Sequence, residues 1–229
     1  MKILYLIPAR GGSKGLRKKN ILKLVDKPMI NYTIDAVLPL IGINDEICVS
    51  TDNKEIIDVV EKNGVKVPFT RPNYLSSDTS NIKDVIDHAL EWYSNHNKFF
   101  DIVVLLQPTS PLRSSVHIKE SLKLWNKDID MIVSVKETDA NPYYILFEED
   151  QNSFLKKSKE GSFTRRQDCP KVYEYNGAIY VISVESYKNK DFSAFDKVKK
   201  YLMNKESSVD VDDFIDFSLA ELLIKTSKR

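Results

Sequence analysis

Short apolar runs alternate with longer amphipathic stretches along most of the chain. Runs at 3–8, 46–51, 65–69, 102–107 and 131–135 have the length and the β-branched content of buried strands. Between them, 28–38 carries Met29, Ile30, Thr33, Ala36 and Val37 on one helical face. The stretch 53–63 opens after a cap-like Asp52 and stops at Asn63-Gly64, a helix end with a mechanism. Ile82, Val85, Ile86, Ala89, Leu90 and Tyr93 recur at i, i+3, i+4, i+7 spacing in 79–93, and Val116, Leu122 and Trp125 mark a helix at 114–125. Strands that are apolar throughout, alternating with helices, predict an α/β fold with a mostly parallel sheet and helices on both faces.

From about 136 to 175 this rhythm breaks. The stretch is polar, aromatic and charged and too long for an ordinary loop, so it predicts a hairpin-bearing insertion in a single domain spanning 1–229. The sheet resumes at 177–183 and at 200–203, and a last helix is expected over 213–224.

In such sheets ligands bind beyond the carboxyl ends of the strands, so the loops there carry the chemistry. The first strand is followed by Pro8-Ala9-Arg10-Gly11-Gly12-Ser13-Lys14-Gly15 and then Leu16-Arg17-Lys18-Lys19-Asn20. Glycines let backbone N–H groups turn toward an anion, a serine adds a donor, and Arg10, Lys14 and Lys19 supply cations that a di- or triphosphate requires. The spacing is neither that of a Walker A loop nor of a G-x-G-x-x-G turn. Near the end of the chain, Asp210-Val211-Asp212-Asp213 places two carboxylates on one side of an extended segment. That is the usual protein share of a magnesium site, with helix capping as the plain alternative.

Gln107-Pro108-Thr109-Ser110-Pro111-Leu112-Arg113 fixes a strand end on which Gln107 has both donor and acceptor capacity. Arg165-Arg166-Gln167-Asp168, with Asn176-Gly177-Ala178, offers guanidinium groups for a carboxylate or a charged hairpin tip. His88, His96 and His117 have no partner spacing and read as surface or packing residues.

Composition narrows the partners. The 229 residues carry 34 Lys+Arg against 33 Asp+Glu, a net charge of +1, which argues against nucleic acid or a membrane surface as partner. The apolar run at the N-terminus is too short for a signal-peptide core, and no stretch has the roughly 18–20 apolar residues of a membrane span. Cys48 and Cys169 lack metal-ligand spacing and fit reduced thiols in the cytoplasm.

The motifs ARGGSKGLRKKN, RPNYLSSDTS, LLQPTSPLR, RRQDCPKVYEYNGAIY and SVDVDDFIDF, in that order, resemble those of the acylneuraminate (CMP-sialic acid) cytidylyltransferase family over essentially the whole chain. The resemblance implies a Rossmann-like sheet, an insertion that forms a homodimer and reaches the partner's site, and CTP and a nonulosonic acid as substrates. It further implies that Ala9, Arg10, Gly11, Gly12, Ser13, Lys14, Lys19 and Asn20 hold the CTP phosphates and ribose. Arg71 and the segment with Ser77 and Ser80 would frame the cytosine. Gln107, Arg166 and Asn176 would engage the sugar acid, and Asp210 and Asp212 would bind Mg2+. The chain departs from sialic-acid-specific bacterial members where Tyr144 and Glu174 stand in place of cations, which leaves legionaminic or pseudaminic acid open. The eight-carbon 3-deoxy-manno-octulosonic acid, or a catalytically silent nucleotide-binding protein, are the remaining alternatives.

Overall fold

The computed structural model describes residues 1–12, 15–77 and 80–227. Ser13 and Lys14, and the expected helix start at Thr79, lie outside the described residues. The strands are β1 (Ile3–Pro8), β2 (Lys23–Leu24), β3 (Lys27–Pro28), β4 (Glu46–Ser50), β5 (Ile102–Leu105), β6 (Met131–Glu137), β7 (Phe147–Glu149), β8 (Leu155–Lys157), β9 (Tyr173–Ser183) and β10 (Val198–Leu202). The α-helices are α1 (Met29–Val37), α2 (Lys54–Lys62), α3 (Ile82–Asn95), α4 (Ser115–Lys123), α5 (Val184–Asn189) and α6 (Phe214–Ser227).

The main sheet has six strands in the order β10-β6-β9-β5-β1-β4. β1 pairs in parallel with β4 and β5, and β6 with β10, whereas β9 runs antiparallel to both β5 and β6. The α/β, mostly parallel expectation therefore holds, with one reversed strand inside the sheet. β1 shows why its run is apolar throughout. Ile3, Tyr5 and Ile7 pack on one face with Ile30 and Ile34 of α1, Ile56 of α2 and Ile118 of α4. Leu4 and Leu6 pack on the other with Ile86, Ala89 and Tyr93 of α3 and Tyr187 of α5. Alternate side chains point to opposite faces, so a strand covered on both sides has no polar positions to offer.

Three sequence expectations change. The run 65–69 buries Val65 and Val67 but forms no strand, and only an isolated Thr51–Thr70 bridge touches β4. Pro68 has no N–H to give to a ladder. The cap of α2 is Asn53, whose side chain accepts from Ile56 N–H, and not Asp52. The helix expected over 79–93 starts at Ile82, capped by Asn81.

Between β6 and β9 the insertion carries the antiparallel β7–β8 hairpin, on which Phe147, Phe154 and Leu155 are exposed. α6 packs through Phe217, Ala220 and Ile224 onto Leu24 of the small β2–β3 hairpin, with Met29 and Val211 in the same cluster. That third cluster brings the end of the chain against the segment that follows the glycine loop.

Candidate active site

β1 delivers the glycine-rich loop to the carboxyl end of the sheet, and β4 delivers Thr51 and Asp52 beside it. Asp52 Oδ1 accepts the Gly11 N–H at 2.9 Å, so this amide is spent inside the protein and does not face an anion. A side chain at Gly11 would collide with Asn53, which accounts for the glycine. Asn20 is buried and donates to Arg10 O at 3.0 Å, while Arg10 Nη1 donates to Ser77 O at 3.1 Å. Ala9 is fully buried under the loop and donates its N–H to Ser50 O.

The acidic segment meets this loop directly. Lys19 Nζ donates to Val211 O at 2.7 Å and to Asp212 Oδ1 at 3.0 Å, across 193 positions of sequence. Gly15 lies so close to Asp212 that a Cβ there would strike its carbonyl oxygen. Arg10, Gly15, Lys19, Asn20, Arg71, Ser77, Ser80, Gln107, Thr109 and Asp212 line one cavity of about 580 Å³. Gly12 has open space around it. Arg71 is buried, with Nε on Ser50 Oγ at 3.0 Å and its other nitrogens on the carbonyls of Ser50 and Leu75. Burial pushes its pKa down to about 10, which leaves it charged at neutral pH.

Asp210 sits behind Asp212. Burial, then the nearby Asp212 charge, push its carboxyl above the usual range, against a hydrogen bond from Thr109 and the Lys19 charge that lower it. Its Oδ1 is buried with no hydrogen-bond partner. An ionised, unpartnered carboxylate oxygen in that setting is costly and suits a cation. Among the described residues there is no group of three or more His, Cys, Asp or Glu able to hold a metal alone. Two carboxylates suit Mg2+, which takes the rest of its octahedron from water and substrate phosphates. Asp213 has the other role: its Oδ1 accepts from Ile215 and Asp216 N–H and caps α6.

Opposite Asp210 the β6–β9 ladder breaks. Val133 pairs with Tyr180 and Val135 with Tyr175, so residues 176–179 bulge out against Ser134. Gly177 at the bulge has φ 72°, and a Cβ there would crowd Gln107 Oε1 and Asp210 Oδ2. Asn176, expected to engage a substrate, is instead a staple of this bulge. It is buried, its Oδ1 accepts from Ser134 Oγ at 2.6 Å and from Ala178 N–H, and its Nδ2 donates to Ser208 Oγ at 2.8 Å. Arg166, expected to engage the acid, pairs with Asp139, which shares a second ion pair with Lys205. Glu174 is paired with Lys136.

Gln107 lines a second cavity of about 770 Å³ with Lys83, Tyr175, Tyr180, Ile182 and Phe192. Asn176, Asp210 and Asp212 border a third, of about 630 Å³, with Lys136 and Lys205. Sequence reasoning missed the aromatic wall, since nothing in 173–195 marks which of its rings border a cavity. It gave Asp52 a capping role, whereas its acceptor role toward Gly11 depends on the close approach of the loops after β1 and β4. The histidines stand apart from all of this: His88 is edge-on to Phe69, His96 stacks on Trp92, and His117 closes the capping box of α4.

Arg10, Lys19, Arg71 and Asp212 around one cavity at the carboxyl ends of an α/β sheet suit a phosphate- and nucleotide-handling domain. Residues 4–223 match the cytidylyltransferase family, and the chain belongs to it. It is 36% identical to the N-acylneuraminate cytidylyltransferase of Escherichia coli, over 100% of this chain and 53% of that protein. The chain thus spans about half the length of that relative. It is 34% identical to the CMP-N,N'-diacetyllegionaminic acid synthase of Legionella pneumophila, over 100% of this chain and 99% of the other. Among solved structures, a CMP:2-keto-3-deoxy-manno-octonic acid synthetase complexed with CTP shares the fold, with a TM-score of 0.74 at 18% identity, over 99% of this chain and 100% of that one.

Proposed function

We propose that this chain transfers CMP from CTP to the anomeric hydroxyl of a nonulosonic acid and releases pyrophosphate. The observation that carries this reading is the Lys19 bridge to Val211 and Asp212, which brings the acidic segment to the cationic loop at one cavity. A cavity of about 580 Å³ suits a nucleotide. Arg10, Lys14 and Lys19 neutralise the triphosphate, with the Ser13 hydroxyl as a further donor. Asn20, Arg71, Ser77 and Ser80 hold the nucleoside.

The acceptor lies on the Gln107 side. Gln107 faces both the nucleotide cavity and the aromatic one, so it stands where the two substrates must meet. The rings of Tyr175, Tyr180 and Phe192 give acylamino methyl groups an apolar wall, which suits the acids that the two relatives are named for. The anomeric oxygen forms a bond to the α-phosphorus in line as its proton passes to water, and the bond from that phosphorus to the oxygen bridging to the β-phosphate breaks, releasing pyrophosphate. Positioning and charge neutralisation dominate such a step, and no histidine is required. Asp210 and Asp212 would hold Mg2+, which would supply charge neutralisation as a Lewis acid.

The exposed apolar residues of the β7–β8 hairpin support a homodimer built through the insertion. No helix among the described residues is long and apolar enough to cross a membrane. Asp212→Ala tests the metal assignment. It should raise the Mg2+ requirement for pyrophosphate release by roughly 10- to 100-fold. An unchanged metal titration would return this residue to a purely structural role.

A further inference from the structure

We propose that Arg113 is a positioning residue for the acceptor: it ties the segment after β5 and the bulge of β9 to α1 and so holds Gln107 and that bulge in the geometry that receives the acid. The inference rests on the assignment of the acceptor to the Gln107 side.

The β5–β9 ladder ends at Leu105 and Tyr180. Beyond it the two strands splay, and the splay makes room for the Gln107 side chain and the Gly177 turn. The carbonyls of Gln107 and Ala178 would then have no ladder partner. Arg113 Nη1 takes both, at 3.0 and 2.9 Å, and Nη2 donates to Thr33 Oγ1 of α1 at 2.6 Å. Asn176 fixes one end of the bulge through Ser134 and Ser208, and Arg113 fixes the other at Ala178.

This arrangement is poorly explained by stability. Arg113 is 2% exposed, forms no ion pair among the described residues, and leaves its Nε without a partner. A buried cation with no counter-ion is generally less stable than a packed apolar side chain of similar volume. Desolvation lowers its pKa to about 9, so it stays charged at neutral pH. Only a planar guanidinium reaches acceptors on three elements with a fixed donor fork; a lysine offers a single flexible point. The geometry at Gln107, the junction of the two substrate cavities, is what the burial secures.

The test compares wild type with Arg113→Met, Arg113→Lys and Thr33→Val. Steady-state rates with CTP and the best acid are read alongside CTP affinity from calorimetry without acid. Displacement of a substrate by about 1 Å costs on the order of 100-fold, so kcat/KM for the acid should fall by roughly 10- to 100-fold in both Arg113 variants. CTP affinity should stay within about two-fold, and Thr33→Val should show a smaller loss of the same kind. Equal losses for CTP and acid, or full activity in Arg113→Lys, would overturn the proposal. If Arg113→Met does not fold, an unchanged acid KM in Thr33→Val overturns it.

Amide hydrogen exchange reads the tie without any acid. The amides of residues 177–180 should exchange faster in Arg113→Lys while those of Gly11 and Asn20 do not change. Equal protection would overturn the proposal even if no acid proved to be a substrate, an outcome that would count against the proposed function alone.

Discussion

Asp210 carries the least comfortable charge of the site. Its folded-state pKa lies above the ordinary carboxylate value, because burial and Asp212 disfavour ionisation. A raised folded pKa means that its contribution to stability is complete below the ordinary value of about 3.9 and is lost as pH rises through the raised one. Asp210→Asn should therefore be more stable than wild type at pH 7 in the absence of metal and nucleotide, and the difference should vanish in acid. Thermal unfolding at both pH values checks this. The same variant should lose activity by on the order of 100-fold, because a group placed to neutralise transition-state charge has lost its anchor. At this scale the meeting of Lys19 and Asp212 was legible in the sequence, since both lie in charged segments beside strand ends. Asn176 was not. An asparagine looks the same whether its amide meets a ligand or, as here, Ser134 and Ser208.

At the scale of elements, the legible ones were those whose burial fills every position. β1 could be read to the residue, whereas 65–69 has the same apolar density and fails as a strand at Pro68. The first half of β9 is exposed at Glu174 and Tyr175 and pairs only with the end of β6, so no apolar pattern announces it. The bulge that follows depends on partners in three other segments and has no signature of its own. The β7–β8 hairpin is too short to be located in a polar sequence, although the need for one was evident from the length of the insertion. If it mates with a second copy, replacing 147–157 by a short glycine-rich turn should convert a sedimenting dimer into a monomer and abolish transfer. A fully active monomer would contradict the assembly.

Over the whole molecule, a net charge of +1 conceals a separation that folding converts into a site. Loop cations near residue 19 and carboxylates near residue 212 face each other because α6 packs on the β2–β3 hairpin and draws the segments that flank them together at the carboxyl end of the sheet. The chain belongs to the cytidylyltransferase family, and relatives at 34% and 36% identity are named for different nonulosonic acids. The most direct test is pyrophosphate release from CTP and Mg2+ in the presence of N-acetylneuraminic, legionaminic, pseudaminic and 3-deoxy-manno-octulosonic acids in turn. The account predicts release that depends on a nine-carbon acid and yields its CMP conjugate in equal amount. Release that is indifferent to the acid, or seen only with the eight-carbon one, would contradict it.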